Sequence, residues 1–109
     1  MKKVTLFISR AENQAGHYQV VVNGEGFFES VNKKVGARIR GDDPWFDDRL
    51  FSIGGTGIER VLPDGSFTLS KIVPGSELNE DWGRDEIYAL VDVEGLSATF
   101  KSNTVTGYF

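Results

Sequence analysis

Apolar and polar residues alternate along most of this chain of 109 residues. Val4, Leu6 and Ile8 form the first such set. A period of two is that of a strand with one buried face, because successive side chains of a strand point to opposite sides of a sheet. Similar sets predict strands over residues 3–9, 17–23, 34–40, 49–53 with 58–62, 66–72, 86–94 and 97–108.

The segments between these strands have the composition of turns. Pro63–Gly65 and Glu94–Gly95 predict tight turns, because proline fixes φ and glycine accepts a positive φ. Gly54–Gly57 is either a hairpin loop or a kink inside one strand. No window has the i, i+3, i+4, i+7 apolar spacing of an amphipathic helix. Short strands without helices predict an all-β fold, an antiparallel β-sandwich of seven or eight strands, with a small barrel as the alternative.

The alternation also predicts the core of the sandwich. Phe100 and the later pair Val105 and Phe109 would face opposite sides of an unbroken strand, so a bulge is expected near Ser102–Asn103. The predicted core residues are Leu6, Ile8, Val20, Val22, Val35, Ile39, Phe67, Leu69, Ile87, Ala89, Val91 and Phe100.

Two stretches resemble bacterial immunoglobulin-like modules of the IPT/TIG type. They are "VVVNGEGFFESVNKKVGARIRG" and "LPDGSFTLSKIVPG", and together they cover about a third of the chain. The resemblance implies an immunoglobulin-like Greek-key sandwich, and it implies little about function, because such modules serve as spacers, adhesion units and binders of sugars or proteins. Long acidic insertions depart from the pattern of that family.

Composition narrows the classes of function. The length fits one domain over residues 1–109. A net charge of −4 disfavours a nucleic-acid partner. No apolar run approaches the ~20 residues that a membrane-spanning helix needs. We therefore expect neither a nucleic-acid nor a membrane partner, and either a cytoplasmic protein or a domain cut from a larger exported one.

Acids and tryptophans concentrate in two segments, "RGDDPWFDDR" at 40–49 and "ELNEDWGRDE" at 77–86. Connections alternate between the two ends of a sandwich whose strands run up and down. If 49–62 counts as one broken strand, the connections 10–16, 41–48 and 73–85 share one end. If Gly54–Gly57 is instead a full hairpin, the two acidic segments separate.

The acids of these segments have two interpretations. Calcium binds six to eight oxygens, which clustered carboxylates supply. Alternatively, the acids are solvated and pair with arginines, an arrangement that stabilises a surface by only ~0–1 kcal/mol per pair. The candidate metal ligands are Asp42, Asp43, Asp47, Asp48, Glu80 and Asp81.

The aromatic residues of the same segments are the candidate ligand-binding residues. Trp45, Phe46 and Trp82 lie among the acids. Exposed indole rings beside carboxylates are typical of surfaces that stack on a sugar ring or hold a peptide. The alternative is that these rings fold back and seal the end of the sandwich.

Catalytic motifs are missing from the sequence. His17 is the single histidine, cysteine is absent, and no Gly-x-Ser-x-Gly elbow occurs. The sequence therefore predicts a non-catalytic binding or interaction module rather than an enzyme. The alternatives are a structural spacer or self-associating subunit and, less favoured, a small two-carboxylate hydrolase.

Association with a second copy is a further expectation from the sequence. Several large apolar residues fall on the polar side of their strands, and such residues can cover a sheet-to-sheet or edge-to-edge homodimer contact. They are Phe7, Val21, Phe51, Tyr88 and Leu90.

Overall fold

The computed structural model describes residues 1–42, 47–78 and 85–109, with the backbone alone at residues 47 and 48. The described residues form eight strands and two 3-10 turns, at Phe28–Ser30 and Gly75–Glu77. The strands are β1 (Lys3–Arg10), β2 (His17–Glu25), β3 (Val35–Asp42), β4 (Asp47–Gly54), β5 (Phe67–Pro74), β6 (Asp85–Val93), β7 (Phe100–Lys101) and β8 (Val105–Gly107).

Two antiparallel sheets confirm the predicted β-sandwich. One sheet has three strands in the order β1-β2-β5. The other has five, in the order β4-β3-β6-β7, with β8 also paired to β6. The chain passes from one sheet to the other after β2, β4 and β5. No helix in the described part of the chain has the length and apolarity needed to span a membrane.

The inward-facing positions of both sheets form one apolar cluster. Ten of the twelve predicted core residues are buried, whereas Ile8 and Phe100 are only partly buried and pack at its margin. Three further buried apolar residues, Phe27, Val61 and Leu78, come from connections and not from strands. The centre of the Phe27 ring lies 5.2 Å from that of Phe67 and 5.1 Å from that of Phe100. The connection between β2 and β3 therefore fills part of the core.

Two strand predictions were wrong. Residues 58–62 form no strand: Arg60 makes an isolated bridge to Lys34, and the backbone of Val61 bonds to Asn32 and Lys33. The predicted strand 97–108 is also interrupted, since β7 ends at Lys101 and β8 begins at Val105. That interruption lies where the change of phase predicted a bulge.

One residue predicted to face outward, Phe51, faces the core, and another, Tyr88, is on the outer face but covered. Phe51 packs against the core, because it pairs with Ile39, which faces inward. Tyr88 is buried, and the ammonium group of Lys101 lies 4.3 Å from the centre of its ring.

The interruption between β7 and β8 joins the two sheets. The Asn103 side chain accepts a 2.7 Å hydrogen bond from the backbone N–H of Leu6 and donates one of 3.2 Å to the carbonyl of the same residue. These bonds reproduce the pairing that a neighbouring strand would offer to the edge of β1. Ser102 holds the turn from the other side, since its hydroxyl accepts a 2.8 Å bond from the N–H of Ala89. One edge of the three-stranded sheet is therefore covered in part by a side chain.

Candidate binding end of the sandwich

Strand directions bring three connections to one end of the molecule. β1 ends at Arg10 and β2 begins at His17; β3 ends at Asp42, which pairs with Asp47 at the start of β4; and β5 ends at Pro74. We call the end defined by these residues and Asp85 the upper end. Gly54–Gly57 forms no hairpin between strands, so the flanks of both acidic segments lie at this end.

Contacts between described residues tie the upper end of one sheet to that of the other. Within the three-stranded sheet, the N–H of Gly75, just after β5, donates a 2.8 Å bond to the carbonyl of Gly16, just before β2, and the ring contacts of Phe109 link this sheet to the other. The rings of Tyr18 and Phe109 meet edge to face at 5.3 Å. Phe109 also packs against Gly107, which pairs with Asp85 at the start of β6.

A concave surface of about 300 Å³ lies beside the β1–β2 connection. The turn depends on a left-handed backbone at Asn13 (φ 60°) and Gly16 (φ 76°), conformations that asparagine and glycine adopt with least strain. The concave surface is lined by side chains that can form hydrogen bonds, those of Arg10, Gln14, His17 and Tyr18. The imidazole Nδ1 of His17 lies 3.1 Å from the carbonyl of Ala15, which fixes the ring beside the turn.

Most of the predicted site residues lie outside the described residues. That holds for Trp45, Phe46 and Trp82, and for Asp43, Glu80 and Asp81. Asp47 and Asp48 are described by their backbone alone, in β4.

Within the two acidic segments, Asp42 and Asp85 are the described acids that border the undescribed residues 43–46 and 79–84. Asp42 is half-buried at the end of β3, and Asp85 is buried at the start of β6. Within residues 1–42, 47–78 and 85–109, no group of three or more acids, histidines or cysteines is arranged to hold a metal ion. The calcium interpretation therefore depends on side chains outside the described set.

A second concave surface, of about 450 Å³, lies on the outer side of the five-stranded sheet at the other end. No pattern in the sequence predicted this groove. Its floor is made by glycines: a Cβ on Gly36 would lie 2.9 Å from the backbone of Gly55. Its charged walls pair with each other, Arg38 with Asp92 at 3.2 Å and Lys34 with Glu94 at 4.0 Å. The sequence feature that could have predicted this groove is the pair of glycines at positions 36 and 54, which lie opposite each other in β3 and β4.

Glu94 in this groove predicts a pH dependence. The backbone N–H of Lys34 donates to its carboxylate, and this bond, with the nearby cations of Lys34, Lys33 and Arg60, lowers the pKa of Glu94 below 4.5. A lowered carboxylate pKa stabilises the fold above the unfolded pKa, and that stabilisation is lost as the pH falls through the folded pKa. We expect Glu94→Gln to flatten the fall in melting temperature below about pH 4.5. Glu29→Gln is the control, and an equal flattening there would contradict the assignment.

Comparison with protein families and with curated proteins gives no match for this chain. No protein-family model matches it, and no curated protein is significantly similar to it.

Proposed function

We propose that this protein is a non-catalytic binding module that uses the upper end of the sandwich to hold its ligand or partner. The observation that carries the proposal is the convergence of the described flanks of both acidic segments, at Asp42, Asp47, Leu78 and Asp85. A sandwich is a rigid support, and loops at one end of such a support are a common place for binding residues.

The aromatic residues of the two segments are the proposed contacts. Trp45, Phe46 and Trp82 offer large rigid surfaces, and neighbouring carboxylates accept hydrogen bonds from hydroxyl or amide groups. A carbohydrate or a peptide supplies both an apolar surface and such donors. The polar groups around the β1–β2 connection, above all Arg10 and Gln14, extend the same end.

Calcium is the proposed cation for the same end. Its ligands would be Asp42, Asp43, Asp47 and Asp48 with Glu80 and Asp81. A cation that binds only the folded protein raises the free energy of unfolding by RT ln(1 + [L]/Kd), which is about 2.7 kcal/mol when the cation concentration is a hundred times Kd. Magnesium should stabilise less, since it prefers a tight octahedron and retains its water.

Tryptophan fluorescence tests the proposal directly, because the two tryptophans of the chain both lie in these segments. We expect the emission maximum or intensity to change, with saturation, on titration with a member of a panel of neutral oligosaccharides and peptides. Trp45→Phe and Trp82→Phe should each weaken that ligand, whereas Phe28→Leu at the far end should not. Emission that no panel member changes would contradict the proposal.

Calcium binding is tested separately on the same protein, by its effect on the melting temperature. A rise in melting temperature that exceeds the effect of sodium chloride at matched ionic strength, and that Asp47→Asn removes, identifies the acids as cation ligands. A response equal to that of sodium leaves them as a solvated surface.

A further inference from the structure

Asn23 and Gly24, in β2, form a dipeptide that is prone to deamidation. The backbone nitrogen of the residue after an asparagine can attack the carbon of the side-chain amide, and a side chain on that residue hinders the attack. Glycine has no side chain, so an asparagine reacts fastest when glycine follows it. The other four asparagines of the chain precede larger residues: Asn13 precedes Gln14, Asn32 precedes Lys33, Asn79 precedes Glu80 and Asn103 precedes Thr104.

Packing requires the glycine of this dipeptide. A Cβ at residue 24 would lie 2.0 Å from the ring of Phe67, which is almost fully buried and pairs with Gly24 across β2 and β5. Any side chain there would push this ring out of a close-packed core. The Asn23 side chain is also held, since its Oδ1 accepts a 2.9 Å bond from the hydroxyl of Thr68. Both reacting groups therefore contribute to the folded sheet.

The register of the sheet determines where the attacking nitrogen points. In a central strand, successive residues bond to opposite neighbours. The N–H of Gly75 donates to the carbonyl of Gly16, so even-numbered positions of β2 bond to β5. The N–H of Gly24 therefore points at β5, opposite Phe67, whereas the side chain of Asn23 stands out from the sheet. Attack requires this peptide group to leave β5 and lose its proton, and the folded sheet opposes both.

We propose that Asn23 is a conformation-gated modification site, which deamidates when β2 leaves the sheet. In the released chain the nitrogen of Gly24 bonds to Cγ of Asn23, the bond from Cγ to the side-chain nitrogen breaks, and ammonia leaves with the proton of the Gly24 amide. Water then opens the resulting five-membered imide at one of its two carbonyls, which gives aspartate or isoaspartate. This inference is independent of the ligand proposed for the upper end.

The position of β2 makes global unfolding the gate. β2 is the central strand of its sheet, paired with β1 and β5, and its Val20 and Val22 have no exposed surface. Strands of this kind open with a free energy close to that of the whole domain. The unfolded fraction of a stable domain is about 10⁻³ or less, so Asn23 should deamidate at least about a thousandfold more slowly in the native protein than in the unfolded chain.

The isoaspartate product does not fit back into β2. Its main chain runs through the former side chain and is one carbon longer, so the residues that follow are displaced along the strand. These include Gly24, which lies against the Phe67 ring, and Phe27, which has no exposed surface. Aspartate keeps the length of the main chain and an acceptor for the hydroxyl of Thr68. Formation of isoaspartate therefore removes a chain from the folded population, and formation of aspartate does not.

Site-resolved mass spectrometry tests the gate on the full chain. The protein is incubated at mildly alkaline pH across a series of urea concentrations, and conversion of each asparagine is followed after digestion. In unfolding urea, Asn23 should react fastest of the five asparagines. Below the midpoint of unfolding, its rate should fall in proportion to the unfolded fraction, to at least about a thousandfold lower in buffer. Asn13, which is exposed in the β1–β2 connection, is the internal control and should change far less.

Two variants separate the chemistry from the fold. Asn23→Thr keeps a hydroxyl that can bond to Thr68 and has no amide to lose. After prolonged incubation in urea, wild-type protein should lose its ability to refold in step with its isoaspartate content at residue 23, whereas Asn23→Thr should refold. Asn23→Asp introduces the charge without the longer main chain, and it should also refold. Circular dichroism measures the refolded fraction.

Three results would overturn the proposal. The first is deamidation of Asn23 in buffer at a rate similar to that in unfolding urea. The second is a rate that stays constant with urea below the midpoint, because such a rate does not depend on unfolding. The third is a chain with isoaspartate at residue 23 that refolds to the melting temperature of the wild type.

Discussion

Phe27→Ala is expected to lower the free energy of unfolding by about 3–5 kcal/mol, the range for removing a fully buried phenylalanine. Phe27 has no exposed surface, and its ring contacts those of Phe67 and Phe100. Its backbone N–H also donates a 2.9 Å bond to the carbonyl of Gly65, so the connection cannot easily move into the vacated space. Domains of this size have a free energy of unfolding of only about 5–15 kcal/mol, so Phe27→Ala removes a large part of it.

The adjacent residue supplies the control for Phe27. Phe28 is 68% exposed, and Phe28→Ala removes the same number of atoms from the same connection. Its effect should stay below about 1 kcal/mol, as for most surface substitutions. Urea unfolding followed by circular dichroism measures both. Equal destabilisation by the two variants would contradict the placement of Phe27 in the core.

Asn103→Ala is expected to destabilise the protein by about 1–3 kcal/mol, because it leaves the N–H and the carbonyl of Leu6 without their partner. Leu6 is almost fully buried, so water replaces the amide poorly. Asn103→Asp separates the two bonds, since a carboxylate still accepts from the N–H but cannot donate to the carbonyl. At a pH above the pKa of the new acid, the free energy of unfolding of Asn103→Asp should lie between those of the wild type and of the alanine variant.

Hydrogen exchange measures the Asn103 effect at its source. The amide of Leu6 should exchange faster in Asn103→Ala, while the amide of Val91 in the middle of β6 should change only with global stability. Thr104→Ala, one residue later on the exposed surface, is the control. An unchanged Leu6 amide would contradict the role assigned to Asn103.

The strands were predictable because one buried face imposes a period of two, as at Val20 and Val22. Phe27 and Leu78 were not, since they are buried from irregular connections that have no period. Residues 58–62 form no strand, because the backbone of Val61 bonds to Asn32 and Lys33, which lie in a connection and not in a sheet. Tyr88 was misjudged because a lysine from β7 covers it on the outer face.

The candidate site was predictable only at the level of topology. Strand parity predicts a shared end for both acidic segments, provided that Gly54–Gly57 is no hairpin, and the described flanks agree with this. The Asn103 bonds and the glycine-floored groove depend on residues far apart in sequence, which no local pattern relates. Ligand identity depends on the placement of individual side chains, and a pattern of residue types does not determine that placement.

A ¹H–¹⁵N correlation titration that follows the two indole N–H resonances is the sharpest test of ligand binding at the upper end of the sandwich. The chain has two tryptophans, one in each acidic segment, so each segment has its own signal. Binding at one shared end predicts that both resonances move along the same saturation curve, together with the amides of Asp42 and Asp85. Two curves with different midpoints would contradict binding at one shared end. So would a ligand that shifts amides of the glycine-floored groove at the other end, such as that of Gly36, and leaves both indoles unmoved.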